Sequence, residues 1–173
     1  MRLWLPLTML ALSPVAAGAE GVLTGQPVAL RALVIDAAGA PPRLASRAID
    51  MIAGPEVELP SMQQLRASWG DDASQIVDIS VDLETDSILI SYGAAGYAQY
   101  TDGFFAGYEF ALPGLPQSLI ERAELDRVQR LPGMGSADLF AVPGALRLNL
   151  SGKWVSPDGR IRIRFPETVV PSV

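Results

Sequence analysis

Alternation of apolar and polar side chains is the feature that most constrains what this chain can fold into. Between residues 77 and 83, every second residue is a valine, isoleucine or leucine, and the positions between them are aspartate or serine. Residues 160–165 repeat the pattern, with arginine at each polar position. Successive side chains of a strand point to opposite faces of a sheet, so a period of two predicts strands with one buried face.

Similar short apolar segments recur along the chain and are separated by Gly, Pro, Asp and Ser. They predict three hairpins, over residues 76–92, 138–150 and 153–165. In the second hairpin, Pro143 and Gly144 stand at the two central positions of a type II turn. The pattern as a whole predicts an all-β fold, an antiparallel β-sandwich of the Ig-like or jelly-roll-like kind. Three further strands are predicted, at residues 27–35, 45–53 and 56–59.

Residues 119–130 fit a helix and a strand equally well. Ile120 and Ala123 lie at helical spacing, whereas Leu119 and Leu125 belong to an alternating series. Both possibilities stay open from the residues alone.

The N-terminus has the organisation of a secretory signal peptide. Arg2 supplies the charged start, residues 3–12 are mainly apolar, and a small-residue segment ends in an Ala-x-Ala site at Ala19. The apolar stretch is about half of the ~20 residues that a membrane-spanning helix needs. We therefore predict a signal peptide over residues 1–19 and a single mature domain over residues 20–173. This domain is expected in the periplasm or outside the cell, with no transmembrane anchor.

Composition removes several classes of function. The chain contains no cysteine and no histidine, which excludes disulfides, thiolate nucleophiles and catalytic or metal-binding imidazoles. Its formal net charge of −6 repels polyanions, so we predict that it does not bind nucleic acid. No motif indicates a cofactor, and none is expected.

Two short motifs carry a resemblance to a known group of proteins. Residues 107–110 are Gly-Tyr-Glu-Phe, and residues 148–152 are Leu-Asn-Leu-Ser-Gly. With the order of segments over residues 25–165, they resemble a family of exported bacterial β-sandwich proteins of unassigned function, many of which carry a PEP-CTERM-type sorting tail. The resemblance implies a strand over residues 119–126 and brings no catalytic residues. The eight residues after Phe165 contain neither an apolar span nor an arginine cluster, so no sorting tail is expected.

Aromatic residues and glycines are concentrated in the segment before residues 107–110. Tyr97, Tyr100 and Phe104 are the aromatic residues that we expect to be exposed, whereas the others are expected to pack in the core. Exposed rings on a β-surface stack on sugars, and loops rich in Tyr and Gly adapt to ligands. These three residues are therefore the predicted binding site, for a polysaccharide or for another exported protein.

In a chain without histidine, paired carboxylates are the groups that could still support acid–base catalysis. Glycoside hydrolysis needs only two carboxyl groups on either side of the scissile bond. Carboxylates at alternating strand positions are more often the solvated face of a sheet. Asp82, Glu84 and Asp86 copy the first acidic spacing of an EF-hand and are weak calcium candidates, but Ser87 and Gly93 stand where the loop needs Gly and Glu.

The last predicted strand carries a row of arginines on one face: Arg160, Arg162 and Arg164. We favour an intramolecular role, in which Asp78 and Asp82 lie opposite this row and pair with it. The alternative is an arginine strip that binds an acidic polymer or partner.

These observations favour an exported, non-catalytic β-sandwich protein that acts as a surface, matrix or binding component. A carbohydrate-binding module that uses the aromatic loop is the first alternative. A carboxylate-dependent, glycan-active enzyme is the second.

Overall fold

A computed structural model describes residues 21–62, 77–93 and 95–166, and the predicted signal peptide lies outside these residues. The described chain is mostly β, with one helical turn, α1 (Gln117–Ile120), and a 3-10 turn at Ser136–Asp138. The strands are β1 (Pro27–Ile35), β2 (Leu44–Ala45), β3 (Ile49–Ile52), β4 (Ser80–Leu83), β5 (Ser87–Ser91), β6 (Ala98–Gln99), β7 (Phe105–Ala111), β8 (Glu124–Gln129), β9 (Leu139–Val142), β10 (Ala145–Asn149), β11 (Trp154–Val155) and β12 (Arg160–Arg164).

The strands form two main antiparallel sheets, which confirms the predicted sandwich. The larger sheet has the order β2-β1-β7-β10-β9, with β3 paired to the other end of β1. The smaller sheet has the order β4-β5-β12-β8, and β6 and β11 form a separate two-stranded ribbon. The main hydrophobic cluster takes residues from β1, β7 and β10 on one side and from β4, β5 and β12 on the other. The core therefore lies between the two sheets.

The alternating pattern determines which face of each strand enters this core. Val81 and Leu83 are buried in β4, and Ile161 and Ile163 are buried in β12. Asp82, between the two buried residues of β4, is only partly buried. The burial of alternate residues is the expected behaviour of a strand with one face on the core.

The third predicted hairpin is wrong. β11 pairs with β6, whereas β12 lies between β5 and β8 in the smaller sheet. A two-residue β11 offers little backbone to pair with, while the central position satisfies both backbone edges of β12. The turn at residues 156–159 therefore carries the chain from the ribbon into a sheet. The other two predicted hairpins form, as β4–β5 and β9–β10.

The strand predicted at residues 56–59 is also wrong. Only Leu59 makes a ladder contact, an isolated bridge to Val81. Pro55 and Pro60 lie on either side and have no N–H to donate to a ladder. The Glu58 side chain instead accepts hydrogen bonds from the backbone N–H groups of Gly54 and Leu83.

Other segments are shorter than predicted or are divided. The strand predicted at residues 45–53 is divided into β2 and β3 around Ser46, whose hydroxyl accepts the N–H of Ala32. The strand expected from residue 76 begins at Ser80, and residue 76 lies outside the described part. Residues 119–130 contain both structures, the end of α1 and then β8, so the strand implied over 119–126 is wrong in its first part.

Among the residues that the structure describes, no helix is long and apolar enough to cross a membrane.

Candidate functional site

The ribbon of β6 and β11 carries the most exposed large aromatic side chains of the described chain. Trp154 lies directly opposite Gln99, and Val155 lies opposite Ala98. The backbone N–H of Tyr100 donates to the carbonyl of Lys153 at 3.0 Å, which extends the pairing by one residue. The ribbon is thus a short, regular antiparallel pair.

The outer face of this pair presents two rings beside an amide. Tyr97 is 83% exposed and Trp154 is 57% exposed. Tyr97 lies just before β6, two residues before Gln99, and both side chains are exposed, as on one face of an extended segment. We call this outer face of Tyr97, Gln99 and Trp154 the aromatic ribbon. The sequence analysis did not include Trp154 among the exposed aromatic residues. The signal was the neighbouring apolar Val155, because adjacent strand residues point to opposite faces and a buried Val155 places the indole outward.

The inner face of the same ribbon is anchored in the core, and Tyr100 belongs to it. Tyr100 is only 6% exposed, so its predicted place among the exposed contacts is wrong. Its hydroxyl donates to the Tyr108 hydroxyl at 2.6 Å, and the Tyr108 hydroxyl donates to the carbonyl of Val77 at 3.1 Å. Burial raises the pKa of Tyr100 and of neighbouring Tyr92, so both hydroxyls stay protonated. This buried network anchors the inner face of the ribbon in the core.

Phe104 is exposed, as predicted, but it lies outside the ribbon pairing. Its side chain is 53% exposed just before β7. Its carbonyl accepts a hydrogen bond from the Asn149 side chain at 3.2 Å. Of the three predicted binding residues, only Tyr97 belongs to the aromatic ribbon.

Two of the three calcium candidates, Glu84 and Asp86, are paired with arginines. Glu84 accepts a hydrogen bond from Arg162 at 2.9 Å, and Asp86 lies 3.4 Å from Arg164. Asp82 points outward from β4. Within residues 21–62, 77–93 and 95–166, no group of three acidic, His or Cys side chains is arranged to hold a metal ion.

Two of the three arginines in the row, Arg162 and Arg164, are paired within the molecule, but not with the predicted carboxylates. β5 separates β4 from β12, so Asp78 and Asp82 are not directly opposite the row. Asp78 is buried and accepts hydrogen bonds from the Ser61 hydroxyl and, at 2.7 Å, from the Met62 N–H. The acidic turn after β4 supplies the partners instead.

A groove of about 390 Å³ lies beside that turn and contains the carboxylates most relevant to the enzymatic alternative. Asp82 and Glu84 line it, and Glu58 is close enough to act on Asp82. The two oxygens of Glu58 accept the N–H groups of Gly54 at 2.7 Å and Leu83 at 2.6 Å. Since Glu84 binds Arg162, two of the three carboxylates are engaged in holding the fold. This favours a structural role over a pair of catalytic acids.

Asp82 gives a pH-dependent prediction. Partial burial and the carboxylates of Glu58 and Glu84 raise the pKa of Asp82 above the ordinary 3.8, with Arg162 acting in the opposite direction. Above pH 3.8 the folded protein therefore binds this proton more readily than the unfolded chain does, and ionisation lowers stability as pH rises. We expect Asp82→Asn to raise stability at pH 7 by a few tenths of a kcal/mol, because the group is largely solvated.

Thermal unfolding of parent and Asp82→Asn at pH 7 and pH 4 checks this expectation. The difference in Tm is expected to shrink at the lower pH, where Asp82 of the parent gains its proton. A variant less stable than the parent at pH 7 would show that attraction to Arg162 dominates.

Comparison with known proteins adds no relative. No protein-family model matches the chain, and no curated protein or solved structure matches it either. The resemblance to exported proteins with sorting tails therefore stays a prediction from the sequence motifs.

Proposed function

We propose that this protein is an exported, non-catalytic β-sandwich binding module that holds a glycan against the aromatic ribbon. The observation that carries the proposal is the pair of exposed rings, Tyr97 and Trp154, on a ribbon whose other face is fixed in the core. The predicted signal peptide supports a location in the periplasm or outside the cell.

The chemistry of the aromatic ribbon suits a sugar. The apolar face of a pyranose packs on an aromatic ring, and its hydroxyls need nearby polar partners. Gln99 provides an amide directly opposite Trp154, and Thr101 is an exposed hydroxyl on the same side of the chain two residues later. With both rings exposed on the outer face of the ribbon, an extended chain of sugars can contact both.

The size of the aromatic ribbon argues against a folded protein as its ligand. Five residue steps at about 3.3 Å, on a pair about 10 Å wide with its side chains, give a surface on the order of 200 Å². A stable protein interface buries about 800 Å² on each partner. A glycan of a few sugars fits the smaller area.

Removal of either ring tests the proposal. We expect Tyr97→Ala and Trp154→Ala each to weaken glycan binding about tenfold, because each removes one stacking surface worth about 1.4 kcal/mol. The measurement is retention of residues 20–173 on cellulose and chitin, with isothermal titration against soluble hydroxyethylcellulose and dextran. Both side chains are exposed, so the Tm is expected to change little.

Phe140→Ala is the matched control. Phe140 is also an exposed aromatic residue, but it lies on β9 at the edge of the larger sheet. Its removal is expected to leave glycan binding unchanged. The proposed function would be contradicted if the parent bound none of the four polymers, or if Trp154→Ala bound as well as the parent.

A further inference from the structure

The end of the aromatic ribbon carries a carboxylate that bears on which glycans it accepts. The N–H of Gly152 donates to the carbonyl of Thr101, so the paired segments continue past Trp154 and Tyr100 toward Asp102. Asp102 is exposed, and its Oδ1 lies 2.5 Å from the position that a Cβ at residue 152 would take. Gly152 also has a φ of +69°, which favours glycine. The absence of a side chain at this position gives the Asp102 carboxylate its place against the ribbon.

No basic side chain lies within ion-pair distance of this carboxylate in the part of the chain that the structure describes. Asp102 makes no ion pair there. Lys153, which is adjacent to Trp154 and is the chain's single lysine, points its ammonium elsewhere. Its Nζ donates to the carbonyl of Gly133 and lies 3.3 Å from Asp138.

Two arginines lie near the opposite end of the ribbon, at the turn that follows β11. Asp158, in the turn after β11, lies 2.7 Å from Arg130. The charge of Arg130 is thus matched by a carboxylate, whereas Arg160, directly after the turn, is exposed and forms no ion pair with a described residue. Together with the net charge of −6, the Asp102 carboxylate makes its own end of the ribbon negative, and Lys153, the nearest lysine in sequence, is paired with Asp138.

We propose that the aromatic ribbon selects uncharged glycans and rejects anionic ones, and that Asp102 is the residue that sets this specificity. The inference rests on the proposed function and names the class of its ligand. Sugar hydroxyls donate to the Asp102 carboxylate, and hydrogen bonds to a charged acceptor are the stronger kind. A uronate or sulfate at the same position meets a like charge at short range, where salt screens least.

Matched polymers separate charge from backbone structure. Hydroxyethylcellulose and carboxymethylcellulose share one glucan chain, and dextran and dextran sulfate share another. For the pair whose neutral member binds, we expect the neutral polymer to bind at least tenfold more tightly than the anionic one at 0.15 M salt, measured by isothermal titration. The ratio is expected to fall toward one at 1 M salt, where the Debye length is about 3 Å.

Charge reversal assigns the effect to one residue. Asp102→Lys is expected to bring the anionic polymer within about threefold of the neutral one. Asp50→Lys changes the net charge equally and serves as the control. Asp102 is three residues before Phe105, which pairs with Ile35 at one end of β1, whereas Asp50 pairs with Ala29 near the other end of β1. The Asp50→Lys protein is expected to keep most of the parent's preference for the neutral polymer over the anionic one.

The outcomes separate the two proposals. Binding to neither polymer pair overturns this inference, and it overturns the proposed function as well when cellulose and chitin are not bound either. Equal binding to both members of a pair leaves the proposed function standing and overturns the inference. Equal effects of Asp102→Lys and Asp50→Lys overturn the role of Asp102, since net charge alone then explains the selectivity.

Discussion

Replacement of Gly107 by alanine is expected to lower the free energy of unfolding by about 3 kcal/mol or more. Gly107 lies in β7, at the centre of the larger sheet, and pairs with Asn149 of β10. A Cβ at this position would lie 2.0 Å from the carbonyl oxygen of Leu148 and 3.1 Å from its carbonyl carbon. These are backbone atoms of a neighbouring strand, so no side-chain rotation relieves the overlap. The two strands have to separate.

Thermal and urea unfolding measure the effect. For a chain of this length, ~3 kcal/mol corresponds to a fall in Tm of roughly 6–12 °C. Gly135→Ala is the matched control, because a Cβ there meets nothing within 4 Å and its φ is −155°. It is expected to change stability by less than about 0.5 kcal/mol. A Gly107→Ala protein as stable as Gly135→Ala would mean that β7 and β10 are not as closely packed as described.

The parts of the fold that the sequence predicts correctly are those that depend on local information. β1 matches its predicted bounds at residues 27–35, and the β9–β10 hairpin forms around Pro143 and Gly144. Both depend on information local to the segment, namely alternation and turn residues. The pairing of β11 with β6 does not depend on local information. Nothing in the sequence near Lys153 indicates whether β11 pairs with the next strand or with a distant one.

The aromatic ribbon is a product of such distant pairing. Trp154 faces Gln99 across 55 positions of sequence, and the burial of Tyr100 depends on Tyr108, which belongs to a different sheet. The aromatic-rich segment was recognisable, but which of its rings faces solvent depended on this pairing. Similarly, Glu84 and Asp86 resembled the start of a metal loop until the register of β12 placed arginines beside them.

Another feature that the sequence analysis did not predict is a row of alternating charges across three strands of the larger sheet. Arg31, Glu109 and Arg147 are paired in register on β1, β7 and β10. One oxygen of Glu109 accepts from Arg31 Nε at 2.6 Å, and the other accepts from Arg147 Nε at 2.7 Å. The glutamate side chain is only 6% exposed, whereas both arginines keep partial access to solvent. Arg147 also lies 5.9 Å from the centre of the Phe105 ring.

Glu109→Gln is therefore expected to destabilise the protein by about 2 kcal/mol. Loss of the carboxylate leaves two guanidinium groups facing each other without the charge between them, and removal of one partner from a buried pair costs about 3–5 kcal/mol. The solvent access of the arginines reduces that cost. The expected fall in Tm is roughly 4–8 °C, measured by thermal unfolding at neutral pH.

Asp158→Asn provides the comparison, since it breaks an ion pair with Arg130 in which both side chains are largely exposed. Its expected cost is below about 0.5 kcal/mol. Addition of 1 M salt is expected to remove most of the small Asp158 effect and to leave most of the Glu109 effect, because screening acts weakly on a buried carboxylate. Equal losses in the two variants would show that the Glu109 row contributes no more than a surface pair, and that apolar packing alone holds the centre of the larger sheet.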